Sequence, residues 1–191
     1  MSISLLVVLV FLFALVVYGV SIYNTLVSIK HRVSQAWSNI DVLLKQRHDE
    51  LPKLIEVCKQ YMKHERETLE KVTLARSGVF NARQAGDMAA LGKAENILRS
   101  GLGQLYVVAE NYPELKADKS FKQLQERITS LENQITDRRE FYNECVNVNN
   151  IRIEQFPEVI VARLMGFKSA DLLAFSEEEK ADVDVKALFE S

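Results

Sequence analysis

The chain has 191 residues, of which 48% are hydrophobic and 26% charged, with seven Gly, three Pro, two Cys and a formal net charge of −2. That length suits one domain plus an anchor, and so few Gly and Pro, with little alternation of Val, Ile and Thr, suit a mostly helical protein. The lack of a basic excess argues against a nucleic-acid binder, which concentrates Lys and Arg on its binding face.

The first element is apolar. Residues 3–20 read ISLLVVLVFLFALVVYGV, eighteen positions without a charge, or roughly 27 Å of helix, close to the hydrocarbon thickness of a bilayer. No Lys or Arg precedes this run, and it ends Tyr18-Gly19-Val20-Ser21 without an A-x-A exit. An uncleaved anchor over residues 1–21 is therefore expected rather than a signal peptide. Residues 22–48 then carry four basic groups and one acidic group. This balance predicts that Lys30 and Arg32 contact lipid head groups. The same flank charges place the N-terminus outside and residues 22–191 in the cytoplasm.

Behind the anchor, Ile22, Leu26, Ile29, Val33, Ala36/Trp37, Ile40 and Leu43/Leu44 recur at steps of three and four, one stripe of an α-helix. Pro52 would clash with the carbonyl of His48 if that helix simply continued. The spacing predicts a tight turn, with helix one ending near Arg47 and an antiparallel helix two over 50–83; a kinked continuous helix is the alternative. Leu54/Ile55, Cys58, Tyr61/Met62, Leu69, Val72, Ala75 and Val79 extend the stripe. Gly86-Asp87 ends helix two and caps helix three, whose Leu91, Ala94, Leu98, Leu102, Leu105 and Val108/Ala109 run to about Asn111. Gly92, Gly101 and Gly103 read as close-packing positions, since no strand precedes them as a phosphate loop requires. After a break at residues 111–115, helix four runs from Asp118 or Ser120 to about Gln155. A short helix over 157–165 follows, stopped by Gly166. The expected fold class is all-α: an N-terminal single-pass transmembrane helix, an antiparallel four-helix bundle over 22–167 with a short C-terminal helix, and an acidic tail over 168–191. In that tail Glu177, Glu178 and Glu179 form a charge run followed by Val183, Val185, Leu188 and Phe189. It reads as a solvated segment, or as an acidic linker carrying a short recognition motif.

One resemblance is specific. Tyr23-Asn24-x-Leu26-Val27, Ala36-Trp37-Ser38-x-Ile40-Asp41-Val42, Leu44-Lys45-x-Arg47 and Leu51-Pro52 resemble the LemA family. So do Lys59-Gln60-Tyr61 with His64-Glu65, Ala75-Arg76, Asn111-Tyr112-Pro113-Glu114-Leu115-Lys116-Ala117, Tyr142-Asn143, Phe156-Pro157 and Gly166-Phe167. The match spans nearly everything after Val20, departing from the family pattern at Leu51 and Lys53, where Ile and Asn flank the Pro. It implies a bacterial or archaeal-type single-pass membrane protein, here in the bacterial inner membrane, with an antiparallel four-helix bundle. It implies no established enzymatic activity. Association of some relatives with internal membrane organelles implies a role in organising or shaping membranes.

No catalytic, cofactor-binding or metal-ligating set stands out. Ser28, Lys45 and Tyr61 precede His31, His48 and His64 by three residues, so the Glu-x-x-His pairs of a di-metal bundle are absent. Cys58 and Cys145 read as reduced core residues in the cytoplasm, with a redox pair as the alternative. The informative polar positions are Glu65 and Arg138, which fall on apolar stripes beside Tyr142 and Asn149. These four are the candidate polar core layer, a buried ion pair and hydrogen bonds that set helix register; the alternative is long side chains reaching past the stripe's edge. The function expected is a scaffold at the membrane that oligomerises or recruits partners. Its expected partners are the lipid bilayer, copies of itself and further cytoplasmic or membrane proteins, with no nucleic acid and no cofactor. The competing reading is a metal-binding or enzymatic regulator using the polar bundle interior.

Overall fold

The computed structural model describes residues 3–173; the tail positions Glu177, Glu178, Glu179, Val183, Val185, Leu188 and Phe189 lie outside them. Every regular element among the described residues is helical: α1 Ile3–Tyr61, α2 Arg66–Ala85, α3 Met88–Ala109, α4 Pro113–Ala117, α5 Lys119–Glu154 and α6 Glu158–Met165. The chain forms two compact units. Among the described residues, unit 1 comprises 3–41 and 137–172, and unit 2 comprises 42–136 with Leu173.

In unit 1, α1 opens with the uncharged run, whose side chains are exposed throughout. This single N-terminal stretch has the length and apolarity of a membrane span. Burial begins at Ile22 and recurs at Leu26, Ile29, Ala36 and Ile40, the stripe that steps of three and four define. Ile22, Leu26 and Ala162 form a buried cluster, against which Ile153, Val161 and Phe167 pack. The α5 residues Arg139, Tyr142, Val146 and Asn149 are buried in the same unit. The short α6 ends at Gly166, in the left-handed conformation at φ 71°, with Phe167 N donating back to the Ala162 carbonyl at 3.0 Å.

In unit 2 the expected turn at Pro52 does not form. Pro52 lies inside α1, which continues to Tyr61, so helix one extends past Arg47 and helix two starts at Arg66 rather than near Glu50. The helix continues through Pro52, as the continuous alternative expected, for a physical reason. Proline has no N–H for the His48 carbonyl, and Arg76 of α2 supplies one, its Nε donating to that carbonyl at 3.0 Å. The chain turns instead at residues 62–65, where Met62 is buried and Met62 N donates to the Cys58 carbonyl at 2.8 Å.

The remaining breaks follow their local signals. Gly86 closes α2 at φ 68°, a conformation that Gly adopts without a Cβ penalty. The Asp87 side chain accepts from Ala90 N at 2.9 Å as the N-cap of α3, and α2 and α3 pack against each other. Of the three α3 glycines, Gly92 is buried and Gly101 faces Val72, where an added Cβ would sit 3.6 Å from Cγ2. Gly103 faces open space, so close packing does not account for it. The break at 111–115 contains the one-turn α4, with Pro113 at its start and Leu115 buried beneath it. Asp118 then accepts from Phe121 N at 3.0 Å at the start of α5.

Candidate functional site

The polar interior of unit 2 centres on Arg47. Its side chain is 1% exposed on the stripe between Leu44 and Leu51, where the helix period wants an apolar residue. One guanidinium nitrogen donates to Glu95 of α3 and another to Glu132 of α5. Glu95 lies on the α3 stripe between Leu91 and Leu98 and is itself buried. Arg99 approaches the second oxygen of Glu132 at 3.7 Å and donates to Thr136 Oγ1 at 2.6 Å, so two cations face two carboxylates. Burial alone pulls the Arg47 pKa down, yet the two carboxylates outweigh it and the net shift is upward. Arg47 is thus a permanent buried cation tying three helices in one register.

Beside this layer, the proline gap in α1 is sealed by side chains. Arg76 Nη2 lies 2.7 Å from His48 Nε2, and the His48 ring stacks on Phe80 at a centroid distance of 4.9 Å. Burial first, then the charge of Arg76, lowers the His48 pKa below its ordinary value, which keeps the ring neutral and able to accept from Arg76. Further along, Tyr61 Oη donates to Asp118 at 3.0 Å and Tyr112 Oη to Glu65 at 3.1 Å. The Asp118 carboxyl is held below its usual range by the Phe121 amide and the Tyr61 hydroxyl.

The predicted polar layer is therefore redistributed. Glu65 is not inside a helix but at the N-terminal boundary of α2, half-buried and engaged by Tyr112. Arg138 is exposed, and it is the next residue, Arg139, that is 3% exposed. One residue along a helix turns the side chain by about 100°, which is enough to exchange the two. Tyr142 and Asn149 are buried in unit 1, where they hold the segment after α6. Tyr142 Oη donates to the Asp171 carbonyl at 2.9 Å, and Asn149 Nδ2 to the Lys168 carbonyl at 3.3 Å. Asn150 completes the clip, donating to the Ala170 carbonyl at 3.0 Å and accepting from Ala170 N at 2.9 Å. Trp37 packs tilted on Tyr142 at 5.9 Å.

The other candidates lie as follows. Lys30 and Arg32 are exposed just beyond the anchor. His31 and His64 are exposed, and among the described residues no group of three or more His, Cys, Asp or Glu is placed to hold a metal ion. Cys58 and Cys145 are free thiols, one in each unit, and burial pushes the Cys58 thiol up to about 12.

An all-α fold led by one exposed helical stretch of membrane-spanning length defines a membrane-associated helical protein. The LemA family profile matches residues 36–187. The chain belongs to the LemA family. It is similar to protein LemA of Metamycoplasma hominis, 29% identical over 165 residues covering 86% of this chain and 74% of that protein. It is also similar to magnetosome protein MamQ 2 of Paramagnetospirillum magneticum, 24% identical over 186 residues covering 85% of this chain and 68% of that protein. Magnetosome protein MamQ of Magnetospirillum gryphiswaldense is 20% identical over the same coverage.

Proposed function

We propose that this chain is a single-pass scaffold of the bacterial inner membrane, with its N-terminus outside and residues 22–191 in the cytoplasm. Residues 1–21 anchor it, residues 22–167 form the helical domain, and residues 168–191 form an acidic tail. The segments of α1, α2, α3 and α5 in unit 2 make an antiparallel four-helix bundle that associates with further copies or recruits partner proteins. Lys30 and Arg32 meet anionic head groups at the foot of the anchor. The observation that carries this reading is the behaviour of α1. Its first eighteen described residues are uncharged and exposed, and without a break the same helix becomes the buried stripe of a folded domain. The similarity to proteins named for the magnetosome supports a role in organising or shaping a membrane.

The anchor has only Ala14 and Gly19 as small residues and no GxxxG face, so self-association is assigned to the cytoplasmic domain. Light scattering on the detergent-solubilised full chain and on a 22–191 fragment tests this. The expected result is an oligomer in both. An oligomeric full chain with a fragment that stays monomeric at high concentration would assign assembly to the anchor or to lipid instead.

A further inference from the structure

α6 has two faces. Ala162 is buried against Ile22 and Leu26, with Val161 and Phe167 packed at the edges of that cluster. The opposite side carries Ile160 and Leu164, 59% and 77% exposed, and Phe156 just before the helix is 75% exposed. Ile160 and Leu164 stand four residues apart and so share one helical face. α6 is therefore apolar on its outer face as well as on its buried one.

Its position says what covers the outer face. Ile22 and Leu26 lie two and six residues beyond Val20, the end of the uncharged run, or roughly 3 and 9 Å along the α1 axis. The polar head-group layer is roughly 5–7 Å deep on each side of the hydrocarbon core. A helix seated on Ile22 and Leu26 therefore lies at head-group depth whenever the anchor spans the bilayer. The polar residues fit that place. Arg163 is exposed on α6, and Lys168 follows it. Glu158, the acid of α6, is turned inward and paired with Arg152 at 2.6 Å. Tyr23, which stacks edge-on against Phe167 at 5.9 Å, and the exposed Tyr18 bracket the same level, where amphipathic rings are favoured.

We propose that α6 is a second lipid-contacting element: Phe156, Ile160 and Leu164 insert into the interface of the bilayer that the anchor spans, and Arg163 and Lys168 pair with lipid phosphates. The covering partner is the membrane, because the helix that carries this face is seated on Ile22 and Leu26, within two turns of the end of the uncharged run. Two contacts with one bilayer fix the tilt and rotation of unit 1, which a lone anchor leaves free.

This inference rests on the anchor reading, and one experiment separates the two. A photoreactive phenylalanine analogue is placed singly at Val16, Ile160, Leu164 or Leu74 in the full chain, reconstituted in phosphatidylcholine–phosphatidylglycerol vesicles, and lipid adducts are measured by mass spectrometry. Leu74 is 65% exposed in unit 2 and serves as the reference. Lipid adducts at Val16, Ile160 and Leu164 at least about tenfold above Leu74 are expected for residues in lipid contact. Adducts at Val16 with Ile160 and Leu164 no higher than Leu74 would overturn the role of α6 alone. Cross-links from Ile160 or Leu164 to a second copy in place of lipid would do the same and assign the face to self-association. No adduct at Val16 would overturn the anchor and this inference together.

Discussion

Unit 1 and unit 2 solve the same problem, keeping long helices in one register, by different chemistry. Unit 2 buries full charges: Arg47 is held by Glu95 and Glu132, and Arg76 repairs the backbone that Pro52 leaves open. Unit 1 also buries charge, at Arg139 and in the Arg152–Glu158 pair, but adds a clip of neutral groups, with Tyr142, Asn149 and Asn150 holding the segment after α6 through its carbonyls. Buried charges are costly to leave unpaired, whereas a lost neutral hydrogen bond is a modest loss. The helices of unit 2 are therefore tied by groups that are costly to strand singly. Unit 1 carries the long uncharged run, whose exposed apolar side chains leave room for the bilayer to complete it.

The sharpest way to break the comparison is Arg47→Met. It strands the buried Glu95 and should cost about 3–5 kcal/mol, read by guanidinium unfolding of the detergent-solubilised chain. Combining it with Glu95→Leu and Glu132→Leu should recover much of that loss. A triple variant no better than the single would mean that packing around Arg47, not its charge, dominates.

The proline device gives the next largest effect. Arg76→Ala leaves the His48 carbonyl without its donor and should cost about 1–3 kcal/mol. In a Pro52→Ala background the helix regains its own donor for that carbonyl, so the same change should cost clearly less. Equal costs in both backgrounds would show that Arg76 does not act through the proline gap.

Unit 1 should respond more gently. Asn150→Ala removes both bonds to Ala170 and should cost about 1 kcal/mol, with faster hydrogen exchange at the Ala170 amide. An unchanged exchange rate would place the anchorage of that segment elsewhere.

The smallest effect is a pH dependence. Because the folded state holds the His48 pKa below its ordinary value, the unfolded chain takes up a proton first as pH falls. The His48 contribution is complete above about pH 6.5 and is lost as pH drops from there towards the lowered folded value. His48→Gln should flatten stability across that window. A wild-type decline that survives the substitution would belong to other groups.

The same division shows in what the amino-acid sequence reveals. Features set by neighbours along the chain are legible: the Gly86-Asp87 turn, the Gly166 stop and the exposed run ahead of Ile22. Features settled by distant residues are not. Whether Pro52 breaks its helix depends on Arg76, and the turn at residues 62–65 contains neither Gly nor Pro. A polar layer is legible as a kind of feature, but Arg138 and Arg139 differ only by rotation about one helix. Arg47 and Glu95 stand on their stripes at steps of three and four, a signal as strong as that of Glu65, and their opposite charges on separate helices are what would have paired them.

We propose that the first helix anchors this chain in the membrane with the folded domain in the cytoplasm. The direct measurement is labelling of a Ser191→Cys variant, in a Cys58→Ala/Cys145→Ser background, with a membrane-impermeant thiol reagent. No labelling is expected in intact cells, and full labelling once they are opened. Labelling in intact cells would place the folded domain outside and contradict it.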